Sequence, residues 1–322
     1  MDLKFLRHLL PRFVISAALA AFASACALAA PSQAPGFAGI SHWINSPPLT
    51  MQGLRGKVVL IDFWTYSCIN CLRSLPHVEA WYQKYKDDGL VVVGVHSPEF
   101  DFEKEHANVV AAVKKLGITY PVAQDDDMAT WSAWSNRFWP AEYLVSRDGT
   151  VLHHRYGEGH YAETEQAIRD ALGLTGDMGK RPTDKDFSGI GSPEMYFGLA
   201  RIANLANIEV PARLSHSYRL PASVRLNQFA LGGDWRLNDE YATLTGEQGT
   251  IRLRFKAGKL HMVAASDQPV TLTVTVDGKP QPAVTVQASR LYTLFDNDDY
   301  HEHEAVIRVK GKGFRAFTFT FG

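Results

Sequence analysis

Cysteine is scarce in this chain, with three in 322 residues, at positions 26, 68 and 71. So few cysteines exclude a small secreted scaffold stapled by many disulfides, and a chain with 46% hydrophobic residues can bury a core without them. A charge excess of either sign is also missing. The 33 Lys and Arg nearly balance 34 Asp and Glu for a formal net charge of -1, and no long basic run appears. Nothing in that balance draws the chain to nucleic acid or to an anionic membrane. After the N-terminus no apolar run approaches the length of a bilayer span, and no internal repeat or low-complexity tract is present.

What is present begins with a targeting pattern. Lys4, Arg7 and Arg12 precede an apolar, Ala-rich run over 13–25, and Ala27-Leu28-Ala29 offers an A-x-A cleavage site. The expectation is a signal peptide over residues 1–29 and an exported, periplasmic, soluble protein. Ala23-Ser24-Ala25-Cys26 also ends in Cys as a lipoprotein signal does, but lacks the usual Leu three residues before it. Lipidation at Cys26 is therefore the alternative. Cleavage after Ala29 leaves Cys68 and Cys71 as the mature protein's cysteines.

Strands and helices alternate from residue 57 onward. "KVVLID" (57–62) and "LVVVGVHS" (90–97) are short β-branched runs and read as buried strands. A helix is expected from the cysteines to Gly89, another over 101–117, a short strand at 120–123 and a Trp-rich helix over 128–137. A hairpin over 141–157 turns at Arg147-Asp148-Gly149, and a helix over 161–173 closes the series. This is an α/β domain over 30–173. Residues 174–220 are rich in Gly, Pro, Asp and Lys and read as linker, with "MYFGLARIANLAN" packing on a neighbour. From 221 to 322 short alternating strands separated by Gly, Asp or Pro turns describe an all-β sandwich.

The chemistry concentrates in "WTYSCINCLRSLP" (64–76), where two cysteines stand Cys-x-x-Cys. Three readings compete: a structural disulfide, half a metal site, or a redox centre. A loop this short constrains the unfolded chain very little, so a staple contributes little. Zinc wants four ligands and there is no second cysteine pair; no Met stands near the pair to favour copper(I). Disulfide exchange needs one exposed thiolate and a second thiol close by, and a Cys-x-x-Cys at a helix N-terminus supplies both. Cys68 is the expected nucleophile and Cys71 the resolving thiol. Ile69 and Asn70 between them are expected to tune the potential. No metal and no cofactor beyond the redox-active Cys68–Cys71 disulfide is expected.

Around the pair the sequence resembles the thioredoxin superfamily. Asp62-Phe63-Trp64 lead into the cysteines with the acid six residues before Cys68, Pro76 follows Cys71 by five, and "FWPAEYLVSRDG" (138–149) looks like the segment that precedes the final hairpin. The resemblance implies that Pro140 is a cis-proline facing the disulfide, that Trp139 offers backbone to a bound peptide, and that Asp62 is a buried acid assisting proton removal from Cys71. A satisfied strand carboxylate is the plainer account of Asp62. Trp64, Tyr66 and Trp139 are expected to shape the partner surface, with core packing the alternative for Trp64. His96 and Glu99 in "VHSPEF" read as structural.

The likeness is closest to the TlpA-like redoxin branch. "LRGKVVLIDFWTYSCINCLRSLPHV", "VVGVHSPEF" and "WPAEYLV" resemble the soluble exported region of DipZ-type proteins, a thioredoxin-like domain followed by a carbohydrate-binding-like β-sandwich of galactose-binding or jelly-roll type. The fused members carry a CcdA-like membrane part that is missing here, so a separate membrane electron donor of CcdA/DsbD type is expected. The resemblance implies a reductant of envelope protein disulfides, with cytochrome c maturation as one pathway. A glycan-binding protein with a secondary redox domain is the alternative, with Trp235 and Tyr241 as sugar-stacking candidates. A peroxidase-like redoxin fits less well, because that chemistry needs Thr or Ser just before a lone Cys. In "DNDDYHEHE" (296–304), His301 and His303 read either as a metal pair or as an exposed loop.

Overall fold

A computed structural model describes residues 33–176, 178, 184–208 and 213–322. The expected signal peptide and Cys26 lie outside the described residues. Six strands form the first sheet: β1 (His42–Ile44), β2 (Val58–Trp64), β3 (Leu90–His96), β4 (Val122–Gln124), β5 (Ala141–Val145) and β6 (Val151–Tyr156), in the order β1-β4-β3-β2-β5-β6. β2 is central, parallel to β3 and antiparallel to β5, and buried at every position. A continuous apolar run with neighbours on both edges and helices on both faces requires that burial.

Side chains alternate between the two faces of β2. Val58, Leu60 and Trp64 join Cys71, Val78, Trp81, Tyr120 and Ile168 in one core. Val59, Ile61 and Phe63 join Val93, Trp134 and Tyr143 in the other. The helices are α1 (Ile69–Tyr85), α2 (His106–Leu116), α3 (Ala129–Ala133) and α4 (Tyr161–Leu172).

Two helices differ from expectation. The stretch expected as one helix over 101–117 is a 3-10 turn, Asp101–Lys104, then an extended Glu105, then α2 closed by Gly117 at φ 68°. Glu103 folds its carboxylate back onto the Glu99 and Phe100 N–H groups at 2.7 and 3.1 Å, which fixes the turn. The Trp-rich helix is short: Asp125 caps the Thr130 and Trp131 N–H groups, and Ser135 adopts φ 52°, ending it.

The second sheet contains β7 (Met195–Tyr196), β8 (Ser215–Tyr218), β9 (Gln228–Leu237), β10 (Ala242–Lys256), β11 (Lys259–Ala265), β12 (Val270–Val276), β13 (Lys279–Pro280), β14 (Val284–Val286), β15 (Arg290–Asp296), β16 (Glu302–Lys310) and β17 (Arg315–Phe321). All its ladders are antiparallel. β10 pairs with β16 along its second part and with β17 at Ala242 and Thr243, and its register with β9 breaks between Leu244 and Gly249. A strand that changes partners at a break in register turns the corner between the two layers of a sandwich. Phe229, Trp235, Ile251, Phe255, Met262, Ile307 and Phe319 fill the space between them.

Part of the expected linker belongs to this sheet. β7 pairs with β17, β8 pairs with β9, and Met195 and Phe197 are fully buried in the sandwich core. Strands of two and four residues are too short to show alternation against a Gly- and Pro-rich background.

Candidate redox site

β2 ends at Trp64 and the buried turn Thr65–Ser67 delivers Cys68 as the N-cap of α1. Cys68 has extended dihedrals, φ -79° and ψ 117°, and its Sγ accepts the Cys71 N–H at 3.2 Å. The first turn of α1 carries no acidic side chain, so the positive end of the helix dipole acts on that sulfur unopposed. Both cysteines are free thiols; Cys68 is half-buried, whereas Cys71 is fully buried. Burial first, and the Cys68 sulfur second, push the Cys71 thiol well above its ordinary range. Pro76 stands inside α1.

The Trp139–Pro140 bond is cis. Trp139 donates its Nε1–H to Ser97 O at 3.0 Å, packs on Trp131 with centroids 4.2 Å apart, and shares a core with Cys68. Ile69 and Asn70 are partly exposed beside Cys68, so a partner can reach them. Tyr66 is mostly buried, stacked on His96, with its hydroxyl donated to Phe102 O at 3.3 Å. Trp64 takes the core-packing alternative. It is fully buried with its ring in a T-shaped contact with His96, and so supports the site from the core.

Beneath the cysteines lies Asp62, 1% exposed, with no hydrogen-bond partner within 3.5 Å of either carboxylate oxygen among the described residues. Burial raises it to about 7, offset in part by the nearby Tyr120 hydroxyl. Across the ladder from it stands Glu142, raised to about 8 by burial and then by the Asp62 charge. His96 is fully buried and pushed down to about 3, so it is neutral and structural. Glu99, raised to about 7 chiefly by burial, accepts the Tyr196 hydroxyl at 2.9 Å and Arg201 Nη1 at 2.7 Å.

Two acids escape sequence reasoning. Glu103 accepts the Ser67 N–H at 3.2 Å and the Ser67 hydroxyl at 2.7 Å, and so ties the turn before Cys68 to the loop after β3. Its signal is an acid three residues after Phe100 at a turn start. Glu142 sits in a strand paired on both sides, where a carboxylate has no outward face.

The sandwich reaches this neighbourhood. Phe317 packs on Phe100 and Phe102 at 5.1 and 4.9 Å, and Arg73 donates to Phe321 O at 3.2 Å. A cavity of about 420 Å³ separates Tyr66, Ile69 and Leu72 from Leu291 and Thr293. The other candidates in the sandwich are engaged in packing. Trp235 is fully buried and donates to Gly232 O, and Tyr241 packs on Phe317. The Trp235 ring therefore offers no free face for a sugar, whereas Tyr241 is only partly buried. His303 Nδ1 contacts Asp277 at 2.6 Å with its ring against Phe255 and Phe295, while His301 is exposed. Among the described residues no three His, Cys, Asp or Glu are placed to hold an ion.

Comparison with known proteins agrees with this arrangement. Residues 44–172 match the Redoxin family model, and residues 192–322 match the thioredoxin-like C-terminal domain model. The chain is 40% identical over 299 residues to Protein DipZ of Mycobacterium tuberculosis and of Mycobacterium bovis, which covers 90% of this chain and 43% of the relative. It therefore spans less than half the length of those relatives. It is 42% identical over 139 residues to Protein SUPPRESSOR OF QUENCHING 1, chloroplastic, of Arabidopsis thaliana, covering 43% of this chain and 13% of that one. It is also 29% identical over 141 residues to the thiol-disulfide oxidoreductase YkuV of Bacillus subtilis, covering 44% of this chain and 95% of that one. The first part of the chain is thus similar to redoxins, with the thiol-disulfide oxidoreductase YkuV among the relatives, and the second part to thioredoxin-like C-terminal domains.

Proposed function

We propose that the protein is an exported reductant of protein disulfides in the cell envelope, working through Cys68 and Cys71. The observation that carries this reading is the asymmetry of the pair: Cys68 is reachable at a helix N-terminus, and Cys71 is sealed behind it with its thiol held protonated. The Cys68 thiolate attacks a partner disulfide and forms a mixed disulfide. Cys71 then displaces the partner, which leaves reduced, and the Cys68–Cys71 disulfide remains. Cis-Pro140 and the backbone at half-buried Trp139 are the partner's resting place, with Ile69 and Asn70 at its margin. Asp62 takes the proton that Cys71 must lose.

No helix among the described residues is long and apolar enough to cross a membrane. The proposed source of electrons for the next cycle is a membrane donor of CcdA/DsbD type, with cytochrome c maturation as the proposed pathway. Insulin disulfide reduction with wild type and Cys68→Ser tests the assignment, since equal rates would remove Cys68 as nucleophile. The direction of electron flow is tested by the reduction potential. A value near that of thioredoxin, about -270 mV, supports a reductant, and one near about -120 mV makes the protein an oxidant.

A further inference from the structure

The row that begins at Asp62 continues across the sheet. Asp62 on β2 faces Glu142 on β5, and Glu142 faces Arg155 on β6, the edge strand. Cross-strand partners share a face with Cβ atoms about 4.5–5.5 Å apart. Asp62 alternates in phase with Leu60 and Trp64, so both carboxyls lie on the face that packs Cys71 and α4. They are 1% and 4% exposed, and no ion pair reaches Asp62 among the described residues. The other groups facing the pair are Cys71 from α1, the Tyr120 hydroxyl from the segment before β4, Arg155 from β6, and Thr164 and Tyr161 from α4. Tyr120 and Tyr161 are both held above the ordinary tyrosine range, so neither exchanges protons near neutrality. Asp62 therefore has one neighbour able to relay a proton, and that neighbour stands one strand nearer the edge.

We propose that Asp62 and Glu142 form a shared-proton carboxyl pair, in which Glu142 is a positioning residue that acts through Asp62 by carrying the Cys71 proton onward to the edge of the sheet. The inference rests on Cys68 and Cys71 being the redox couple. In the resolving step the Cys71 S–H bond breaks and its proton passes to the Asp62 carboxylate. The sulfur electron pair forms the bond to Cys68 Sγ, and the bond from Cys68 to the partner sulfur breaks, its pair leaving on the partner thiolate. The dithiol loses two electrons and the partner disulfide gains them. Asp62 then hands its proton to Glu142, which returns it to water beside β6. Two carboxyls this close and this dry do not both ionise readily, so they titrate as a pair.

The test uses the full chain, reduced, mixed with dithiobis(nitrobenzoate). Cys68 attack releases the first thionitrobenzoate and Cys71 displacement the second. In wild type the second phase accelerates with pH through two steps, near pH 7 and pH 8. Glu142→Gln is expected to slow that phase about tenfold at neutral pH and to remove the upper step, with the first phase unchanged. Glu142→Asp restores both features, and Asp62→Asn/Glu142→Gln is no slower than Asp62→Asn alone, because the two act as a unit. The proposal is overturned if Glu142→Gln keeps the wild-type profile, if it slows both phases alike, or if the double variant is slowed by the product of the singles. A wild type that lacks the second phase altogether would instead remove the redox couple on which the inference rests.

Discussion

Asp62→Asn should make the protein more stable, by an amount that depends on pH. The carboxyl ordinarily titrates at 3.8, and burial holds it at about 7 in the folded chain. Over that interval the folded state binds a proton that the unfolded state has released, so stability falls as pH rises. The sign is opposite to that of a salt-bridged aspartate. The cost is absent below 3.8, grows through the interval, and is constant above about 7. At about 1.4 kcal/mol for each pH unit between the two values, its full size is about 4 kcal/mol. Asp62 is fully buried, no ion pair reaches it among the described residues, and the value of about 7 already includes the relief from the Tyr120 hydroxyl, so solvent screening gives no reason to reduce the figure. Asn occupies the same space and stays neutral. Urea denaturation of wild type and variant should therefore give nearly equal stabilities around pH 4 and a gain of about 4 kcal/mol around pH 8, with an unchanged dependence on denaturant. The variant also relieves Glu142 of a neighbouring charge, which adds to the gain above pH 8. A gain of the same size at every pH, or none at pH 8, would refute a dry, unpaired carboxyl at this position. An acid kept at such a cost is expected where its proton is used.

Two further substitutions probe the surroundings of the site. Phe317→Ala empties a buried position between Phe100 and Phe102 and should cost about 3–5 kcal/mol in urea unfolding; a loss below about 1 kcal/mol would mean that the two halves do not pack there. Glu103→Gln replaces a carboxylate that accepts the Ser67 N–H and hydroxyl and the Glu99 and Phe100 N–H groups. It should cost at least about 2 kcal/mol and slow Cys68 attack on a small disulfide, and wild-type stability together with wild-type attack would show that the turn holds itself.

The motif and the frame around it were legible for a physical reason: each rests on a local pattern. The Cys-x-x-Cys at a strand-to-helix junction, the buried runs of β2 and β3, and the alternation in β12, β16 and β17 need no knowledge of distant residues. β1 was not legible, because three half-exposed residues carry no period. β9 was hidden by Gly232-Gly233, where Gly233 takes φ 94° at the register break. Long-range burial was hidden too. Trp64 and Trp235 look like contact residues in sequence, and both fill cores. Glu142 looks like the solvent face of a hairpin strand, yet β5 is flanked by β2 and β6 and buried along its length. The position of Glu142 opposite Asp62 is a matter of register, and register between strands 80 residues apart leaves no mark in a single sequence.

The loop that follows β3 joins the site to the sandwich. Ser97 O holds the Trp139 indole beside cis-Pro140, and Glu103 holds Ser67 beside Cys68. Between these two anchors, Glu99 binds Tyr196 and Arg201, Phe100 and Phe102 pack on Phe317, and the Asp101 N–H is taken by Glu240 at 3.1 Å. The same seven residues therefore reach the surroundings of Cys68 on one side and the second domain on the other. A buried carboxylate such as Glu99 is costly without its cation, and an aromatic pair such as Phe100 and Phe102 is costly in water. With the sandwich in place both costs are met by contacts to Arg201 and Phe317, and the loop is held where Glu103 can fix the turn that presents Cys68. The second domain thus contributes to the geometry of the redox site, whatever else it binds.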